Sequence, residues 1–334
     1  MTGSRERPTR RRAITILAAA AVGALVGGPT RSSTDYRWTG VAMGADATIL
    51  FHGIDHDTAR AAIELVEAEI ERLEDALSLF RQDSELCRLN RDQFLQSPSA
   101  DLRRALTLAI DMAAASGGLF DPTVQALWEA HVDWFAIAPN SGTPPEELIA
   151  RVRMAVDWRG ARIEADAIGL GQGQRVTLNG LGQGYVTDRI TELLAARGLK
   201  HVLVDLGEQR AMEPRLDGNA WQIARAGQAP IALRRGALAT SEGAGCVLGA
   251  GGVAHHLFDP RSGRSAAHWK ALTVHHRSAA IADALSTTFY IASAEEIAAL
   301  LPRFPGTVVW ARNHANVDRR WIAAPADDST WQAV

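Results

Sequence analysis

The clearest periodic pattern in the chain runs through residues 57–77. Apolar side chains recur there every three or four residues, which puts them on one face of a helix: Ala59, Ile63, Val66, Ile70, Leu73 and Leu77. The glutamates between them are interpreted as a solvated surface rather than a site: Glu64, Glu67, Glu71 and Glu74. A second stripe covers residues 101–115 and is followed by Ser116-Gly117-Gly118, where glycine permits the left-handed turn that ends a helix. Two amphipathic helices are therefore predicted in the first third of the chain.

The other apolar segments are short and predict strands alternating with helices. Strands are expected over residues 37–51, 175–178, 201–206, 221–224, 231–233, 254–258, 271–275 and 308–311. Further helices are expected over residues 185–197, from Ala282, and after Ser293, which forms a capping-box pattern with Glu296. The Pro-rich segment 138–145 is expected to be an exposed loop. Helices mixed with antiparallel hairpins predict an α+β fold rather than a doubly wound sheet.

The first 32 residues are interpreted as an export signal. Arginines crowd the first dozen positions, namely Arg5, Arg7, Arg10, Arg11 and Arg12, and the uncharged apolar segment 13–26 is short for a membrane span. The adjacent arginines after Thr9 fit the twin-arginine signal. A basic tail followed by a buried helix is the alternative. The prediction is a periplasmic protein with one domain over residues 33–334, and the sequence does not define where the signal is cleaved.

Composition narrows the class of protein but not its chemistry. Of 334 residues, 47% are hydrophobic and 22% are charged, which is typical of a globular protein, and the net charge of −3 does not indicate nucleic acid or anionic lipid as a partner. Cys87 and Cys246 could form one disulfide in an oxidising compartment, but their separation in sequence says nothing about their distance. We expect both to be free and buried.

Three segments place polar groups among apolar residues, and two of them also contain turn glycines. Residues 78–90 follow the first helix and contain Phe80, and residues 117–123 place Asp121 in a turn framed by glycine and proline. Residues 178–185 have glycines between a predicted strand and a helix, where the backbone can approach a phosphate. Such turns are more often structural than phosphate-binding, and the spacing G-x-G-x-G matches neither the Rossmann nor the P-loop pattern.

The fourth segment, residues 255–263 continued by 282–288, is the most specific. Asp283 and Thr287 are four residues apart, so on a helix they share a face and offer two hard oxygens to one cation. Mg²⁺ suits a site with few protein oxygens that is completed by water and substrate phosphates. An aspartate at a helix start is also a common N-cap, and His256 could be a general base or a structural histidine.

Taken in order, these segments resemble the ApbE family of FAD:protein FMN transferases from about Met43 to Ile291. Met43-Gly44 is similar to the family's flavin-binding methionine, and residues 78–90 resemble its "S-x-Y … dSE … LN" stretch, with Phe80 in place of the ring-stacking tyrosine. The other matches are 117–124 with "GG-x-FDPTV", 183–188 with "KGYAxD", 205–208 with a weakened "NxGGD", 256–263 with "HIIDPxTG" and 282–288 with "ADALSTA".

The resemblance implies one domain of mixed, largely antiparallel sheets with packed helices, and a flavin site in a cleft between two halves. It implies Mg²⁺ bound by Asp283, Thr287 and a backbone carbonyl near Gly180, and FAD as the substrate. The FAD contacts it implies are Met43, Phe80, Leu119, Phe120, Asp121, Thr177, Gln183 and His256. His256 is expected beside the pyrophosphate as a base or charge stabiliser, and His256 and Asp283 are the implied catalytic residues.

The implied reaction moves FMN from FAD to a threonine or serine of a periplasmic or membrane flavoprotein and releases AMP. Gln183 stands where the family has lysine and Thr177 where it has an acidic residue, which leaves two alternatives open: an FAD pyrophosphatase and a non-catalytic flavin-binding assembly factor. The leader, the variant segment 178–188 and residues 120–128 look like the NosX-like subgroup, whose acceptors are membrane proteins of nitrous oxide respiration.

Overall fold

The computed structural model describes residues 35–225, 227–250, 252 and 254–325. The predicted export signal, residues 1–32, lies outside these residues, so its assignment stays a prediction. The helices of the described residues are α1 (His56–Leu77), α2 (Glu85–Asp92), α3 (Ala100–Ala115), α4 (Gln125–Ile137), α5 (Glu146–Arg153), α6 (Gly182–Ala195), α7 (Ala279–Ile291) and α8 (Ala294–Leu300).

The strands of the described residues include several of only two or three residues. They are β1 (Tyr36–Ala42), β2 (Ala45–Phe51), β3 (Phe94–Gln96), β4 (Arg162–Ile163), β5 (Ala167–Gly169), β6 (Val202–Asp205), β7 (Gln209–Ala211), β8 (Trp221–Arg225), β9 (Gln228–Leu233), β10 (Gly236–Glu242), β11 (Val247–Leu248), β12 (Ala254–His255), β13 (Phe258–Asp259), β14 (Arg264–Ser265), β15 (Ala271–His276), β16 (Val308–Arg312) and β17 (Asp318–Ile322).

An eight-stranded sheet organises the fold. Its order is β1-β2-β6-β7-β10-β15-β16-β17, and every neighbouring pair is antiparallel. Small antiparallel sheets accompany it, including β3-β5-β4 and the hairpin β8-β9. The predicted α+β class with largely antiparallel sheets is therefore confirmed, and the described residues form a single domain.

The two faces of the sheet are covered differently. Alternate residues such as Ile49 and Phe51 point into the main core, which they share with the helices. On the opposite face, Leu203 and Leu238 form a second cluster with Trp221, Ile223 and Leu233 of the β8-β9 hairpin. The hairpin therefore covers part of the outer face and leaves the rest available to a site.

The two amphipathic helices form as predicted. Asp55 caps α1 by accepting from the Thr58 N–H at 2.9 Å, and Ser99 caps α3 by accepting from the Leu102 N–H at 3.2 Å. The end of α3 has Gly117 and Gly118 at φ of +66° and +85°, a conformation that favours glycine. The capping box of Ser293 with Glu296 is also present.

Some predicted elements were wrong. Residues 37–51 form a hairpin rather than one strand, because Met43 and Gly44 both have positive φ, 52° and 78°, and reverse the chain in two residues. Residues 175–178 form only an isolated bridge between Val124 and Arg175. Residues 254–258 divide into β12 and β13, because β12 pairs with β11 and β13 pairs with β14.

Two further expectations concern cysteines and membranes. Cys87 and Cys246 are both free, as expected, although Cys87 is half-buried whereas Cys246 is fully buried. Over the described ranges, no helix combines the length and apolar character that crossing a bilayer requires.

Candidate functional site

A cleft of about 990 Å³ lies between the sheet with its hairpin and the helices and turns that carry the motif segments. All the site residues predicted from the sequence line it: Met43, Phe80, Leu119, Phe120, Asp121, Thr177, Gly180, Gln183, His256, Asp283 and Thr287. These residues come from six segments that are separated in the chain. The fold therefore brings the predicted set together, while the role of each residue stays a prediction.

The acidic end of the cleft is built where α6 crosses α7. Gly184 allows this contact, because a Cβ at that position would lie 2.3 Å from the Ala279 carbonyl oxygen. The Gly184 N–H then donates to Asp283 Oδ2 at 3.1 Å. Helix α7 begins three residues earlier than predicted, with Ser278 as its N-cap, so Asp283 sits inside the helix and the N-cap interpretation was wrong.

Asp188 of α6 makes the reciprocal contact, with the first turn of α7. Its carboxylate accepts from the Ser278 hydroxyl at 2.6 Å and from the Ala279 and Ala280 N–H groups at 2.8 and 3.1 Å. It also pairs with Arg210. Each helix thus supplies a carboxylate to the first turn of the other, which fixes their relative position.

Asp283 is buried, and none of the described residues supplies it with a cationic partner. Burial raises the pKa of its carboxyl to about 7, the Gly184 hydrogen bond opposes that shift, and the charge of Asp188 adds to it. Glu208 and Asp205 line the same cleft, and burial also raises the pKa of each, with Asp283 and Asp205 charges contributing at Glu208. Within the described residues, no basic side chain pairs with any of these three carboxylates.

The oxygen atoms around Asp283 and Thr287 suit a hard cation that keeps part of its water shell. Thr287 is the one residue between 282 and 290 that is not buried, and its hydroxyl has no partner within the described residues. A Cβ on Gly180 would lie 3.2 Å from the Thr287 Oγ, so the Gly180 backbone lies beside that hydroxyl. In the described part of the chain, no three His, Cys, Asp or Glu side chains are arranged to hold a metal. One carboxylate, one hydroxyl and one carbonyl fit Mg²⁺, which completes its shell with water and phosphate oxygens.

His256 lies in the cleft as a neutral imidazole. Burial lowers the pKa of its ring to about 4, against a weaker opposing effect of the Cys246 carbonyl. Its Nδ1 lies 3.3 Å from that carbonyl oxygen, which favours the tautomer with the proton on Nδ1 and leaves Nε2 as an acceptor. His255 is structural by contrast, because its Nε2 lies 2.8 Å from the Ala266 oxygen and its Nδ1 accepts from the Leu257 N–H.

Another part of the cleft lining is apolar. A Cβ on Gly44 would lie 3.1 Å from the ring of Phe80, so the Met43-Gly44 turn packs against that ring. Glu74 holds the turn by accepting from the Met43 N–H at 2.6 Å, and Arg81 in turn donates to Glu74. The interpretation of Glu74 as part of a solvated face was therefore wrong, because the stripe pattern does not show what lies above the first helix.

The turn at residues 119–121 adds another aromatic ring. A Cβ on Gly180 would lie 3.0 Å from Phe120, which joins this turn to the acidic end. Both oxygens of Asp121 are already used, since Oδ1 accepts from Thr123 and Oδ2 from the Trp158 N–H at 3.1 Å. The carboxylate therefore shapes the turn, and Oδ2, which accepts one of these bonds, keeps capacity for a further one.

The two departures from the family pattern are accommodated locally. The Gln183 amide lies against Gly207, whose φ of +104° and missing side chain make room for it. The Thr177 N–H donates to the Pro122 carbonyl at 2.8 Å, and its hydroxyl accepts from the Asn179 N–H. Sequence reasoning missed the closeness of Glu208 to Asp283. The weakened match at residues 205–208 was the only signal for it.

Comparison with known proteins identifies relatives along most of the chain. The model of the ApbE family matches residues 43–310. The chain is 28% identical over 281 residues to the FAD:protein FMN transferase of Treponema pallidum (strain Nichols), covering 74% of this chain and 75% of that protein. It is 26% identical over 253 residues to the FAD:protein FMN transferase of Haemophilus influenzae, covering 70% of this chain and 73% of that protein.

Solved structures share the fold. The flavin transferase ApbE from Vibrio cholerae superposes with a TM-score of 0.73 at 22% identity, covering 87% of this chain and 98% of that one. The apo flavinyl transferase ApbE of Pseudomonas stutzeri gives a TM-score of 0.74 at 24% identity, covering 88% and 96%. At these identities the structural likeness establishes the architecture alone.

Proposed function

This chain belongs to the ApbE family, and on that premise we propose that it is a magnesium-dependent FAD:protein FMN transferase. One observation carries the proposal: a single cleft is lined both by apolar and aromatic side chains that include Met43 and Phe80 and by the carboxylate of Asp283 and the hydroxyl of Thr287. A flavin ring needs the first kind of surface, and a diphosphate with its cation needs the second.

The FAD is proposed to lie along the cleft with its ring system against the apolar part of the lining. Met43 and Phe80 would contact the ring, and the turn of Leu119, Phe120 and Asp121 would close the site beside Gly180. Thr177 and Gln183 line the cleft near the diphosphate position. Gln183 offers an amide where the family has a cation, so it supplies a hydrogen bond in place of an ion pair.

Asp283, Thr287 and the Gly180 carbonyl would hold Mg²⁺. When bound, the ion neutralises the charge of the diphosphate and stabilises the developing charge on the leaving group. The carboxylates at this end of the cleft are buried, and no basic side chain of the described residues pairs with them. They support a cation there, because uncompensated buried charge is costly.

The chemistry transfers the FMN phosphorus from a phosphoanhydride linkage in FAD to a phosphoester linkage on the acceptor. The acceptor hydroxyl oxygen bonds to the phosphorus of the FMN half, the bond from that phosphorus to the bridging oxygen breaks, and AMP leaves with that oxygen. The hydroxyl proton passes to a base, for which the free Nε2 of His256 is the proposed acceptor. Positioned proton transfer contributes roughly 10²–10⁴-fold to such reactions.

We further propose that the acceptor is a threonine or serine of a periplasmic or membrane flavoprotein. The arginine-rich leader supports export, and the NosX-like features of the sequence support an acceptor that serves nitrous oxide respiration.

The test mixes the purified protein with FAD, Mg²⁺ and a soluble domain carrying an Asp-x-x-Ser/Thr-Ala-Thr-type motif. The expected result is covalent flavin fluorescence on the acceptor band of a denaturing gel, with AMP released in equal amount and both signals lost in EDTA. Steady release of FMN and AMP without acceptor would instead identify a pyrophosphatase. Retention of FAD with no AMP under any condition would identify a flavin-binding assembly factor.

A further inference from the structure

The cleft extends past the proposed FAD site onto the open part of the outer sheet face. We call this extension the outer groove and define it by Thr39, Val41, Asp46 and Thr48 of β1-β2 and by Gln222 and Gln228 of the β8-β9 hairpin. Resting on the proposed function, we propose that the outer groove binds the acceptor protein as an extended segment that carries the reacting hydroxyl.

The strand register defines the floor of the outer groove. Thr39 lies opposite Thr48, Thr48 lies opposite Asp205, and Val41 lies opposite Asp46. Because side chains alternate along a strand, this row points to the same face as Leu203. The hairpin covers the apolar part of that face around Leu203 and stops short of the row of threonines, which stays accessible.

The polar side chains of the outer groove are not committed to the fold. Among the described residues, the side chains of Thr39, Thr48, Asp46, Gln222 and Gln228 make no hydrogen bond or ion pair. By contrast, both oxygens of Asp121 in the same cleft accept hydrogen bonds from the protein. Hydroxyls and amides both donate and accept, which matches the alternating N–H and C=O groups of an extended backbone.

Charge and position favour a polypeptide over more nucleotide. Arg37 and Arg225 are the basic side chains that line this part of the cleft, and Arg225 is already used to hold the Ala229 carbonyl. A polyanion would therefore find little to neutralise it. Val41 is 64% exposed at the mouth of the site and offers an apolar contact to a side chain of the segment.

The length of the outer groove determines how many residues of the acceptor segment it contacts. Thr39 lies opposite Thr48 and Thr48 lies opposite Asp205 of the acidic end, so two strand spacings, roughly 10 Å at about 4.8 Å each, separate Thr39 from that end. An extended segment with its hydroxyl at the diphosphate would place residues about three positions away beside Thr39.

The experiment uses Thr39→Arg on the floor and Gln222→Arg on the wall, with Thr58→Arg as the matched control. Thr39, Gln222 and Thr58 are exposed, and Thr58 lies in the first turn of α1, outside the cleft. Two quantities are measured for each protein: the Kd of the fluorescently labelled acceptor domain without FAD or metal, and the KM values for acceptor and FAD during transfer. Thermal melting checks that each variant is folded.

We expect Thr39→Arg and Gln222→Arg to raise the acceptor Kd and KM at least tenfold more than they change the KM for FAD, whereas Thr58→Arg changes neither more than twofold. Acceptor affinity equal to wild type in both groove variants would overturn the inference, as would failure of the wild-type protein to bind the acceptor domain. A loss of FAD affinity without a loss of acceptor affinity would also overturn it, because FAD would then occupy the groove. Binding that depends on the groove, without any transfer, would leave the inference standing and refute the proposed function.

Discussion

Asp188 and Asp283 are two carboxylates in facing helices, each at the first turn of the other helix, yet their surroundings differ. Asp188 accepts from Ser278, Ala279 and Ala280 and pairs with Arg210. Asp283 accepts from the Gly184 N–H and has no cationic partner within the described residues. The first has nearly every lone pair occupied, whereas the second is buried with spare acceptor capacity.

The difference separates a structural carboxylate from a functional one. A buried carboxylate with one hydrogen bond costs stability, and a fold keeps such a group where something outside the fold completes it. Asp283 borders the cleft beside Thr287 and Gly180, so the missing partner is the proposed cation. Asp188 has its partners inside the protein and needs none.

The largest expected effect comes from Asp283→Asn. The amide still accepts from the Gly184 N–H but loses the charge that would bind Mg²⁺, so FMN transfer should fall about a thousandfold or more, roughly 4 kcal/mol. The free energy of unfolding without metal should be equal to wild type or higher. The measurements are initial rates of acceptor fluorescence and urea unfolding with and without Mg²⁺.

Stability in Mg²⁺ provides a readout independent of catalysis. Wild type should gain stability as Mg²⁺ saturates its site, and Asp283→Asn should not. Full transfer activity in Asp283→Asn at ordinary Mg²⁺ concentrations would show that the metal binds elsewhere, and the contrast with Asp188 would then lack a functional meaning.

The same substitution at Asp188 should act on the fold instead. Asp188→Asn removes the charge partner of Arg210 and turns an amide donor toward the N–H groups of α7, so the free energy of unfolding should fall by about 3 kcal/mol. Urea titration monitored by circular dichroism measures this loss. Equal stability of the two asparagine variants would contradict the assignment of Asp188 as the structural partner.

Gly184→Ala tests whether the crossing itself sets the geometry of both carboxylates. Its Cβ would meet the Ala279 carbonyl, so α6 and α7 must separate, at a cost of about 1–3 kcal/mol and with weaker Mg²⁺ binding. Gly142→Ala is the matched control, since nothing lies within 4 Å of the added carbon. If Gly184→Ala lost stability but bound Mg²⁺ as wild type does, the metal site would not depend on the crossing.

The sequence predicted this region only in part. Asp283 and Thr287 were found because residues four apart share a helix face, and that spacing is local information. The exchange of carboxylates between α6 and α7 joins residues about 90 positions apart, as with Asp188 and Ala280, and no periodicity encodes such a contact. The proximity of Glu208 to Asp283 was not predicted for the same reason, since only the folded sheet brings the two residues together.

Outside this region, the elements that the sequence did not predict correctly were missed for other reasons. Helices α1 and α3 were predictable because one face is apolar, whereas α4 has apolar residues on all sides and gives no stripe. The Met43 hairpin was read as one strand because its turn uses a methionine at positive φ, held by Glu74. A strand pattern in the sequence does not predict a turn that depends on a hydrogen bond to a carboxylate far along the chain.

The smallest expected effect is at Thr287, where a neutral ligand is removed. Thr287→Val keeps the shape and loses one hydroxyl, so the Mg²⁺ concentration for half-maximal transfer should rise about tenfold, the equivalent of roughly 1.4 kcal/mol. Thr288→Val is the matched control, because its hydroxyl already donates to the Ala284 carbonyl at 2.6 Å and is fully buried. Removing a committed hydroxyl should cost about 1 kcal/mol of stability and leave the Mg²⁺ requirement unchanged. Equal shifts in both variants would mean that helix packing, and not a hydroxyl oxygen free to bind the ion, sets the Mg²⁺ requirement. An unoccupied oxygen would then no longer identify a metal ligand, and the distinction between Asp283 and Asp188 would lose its basis.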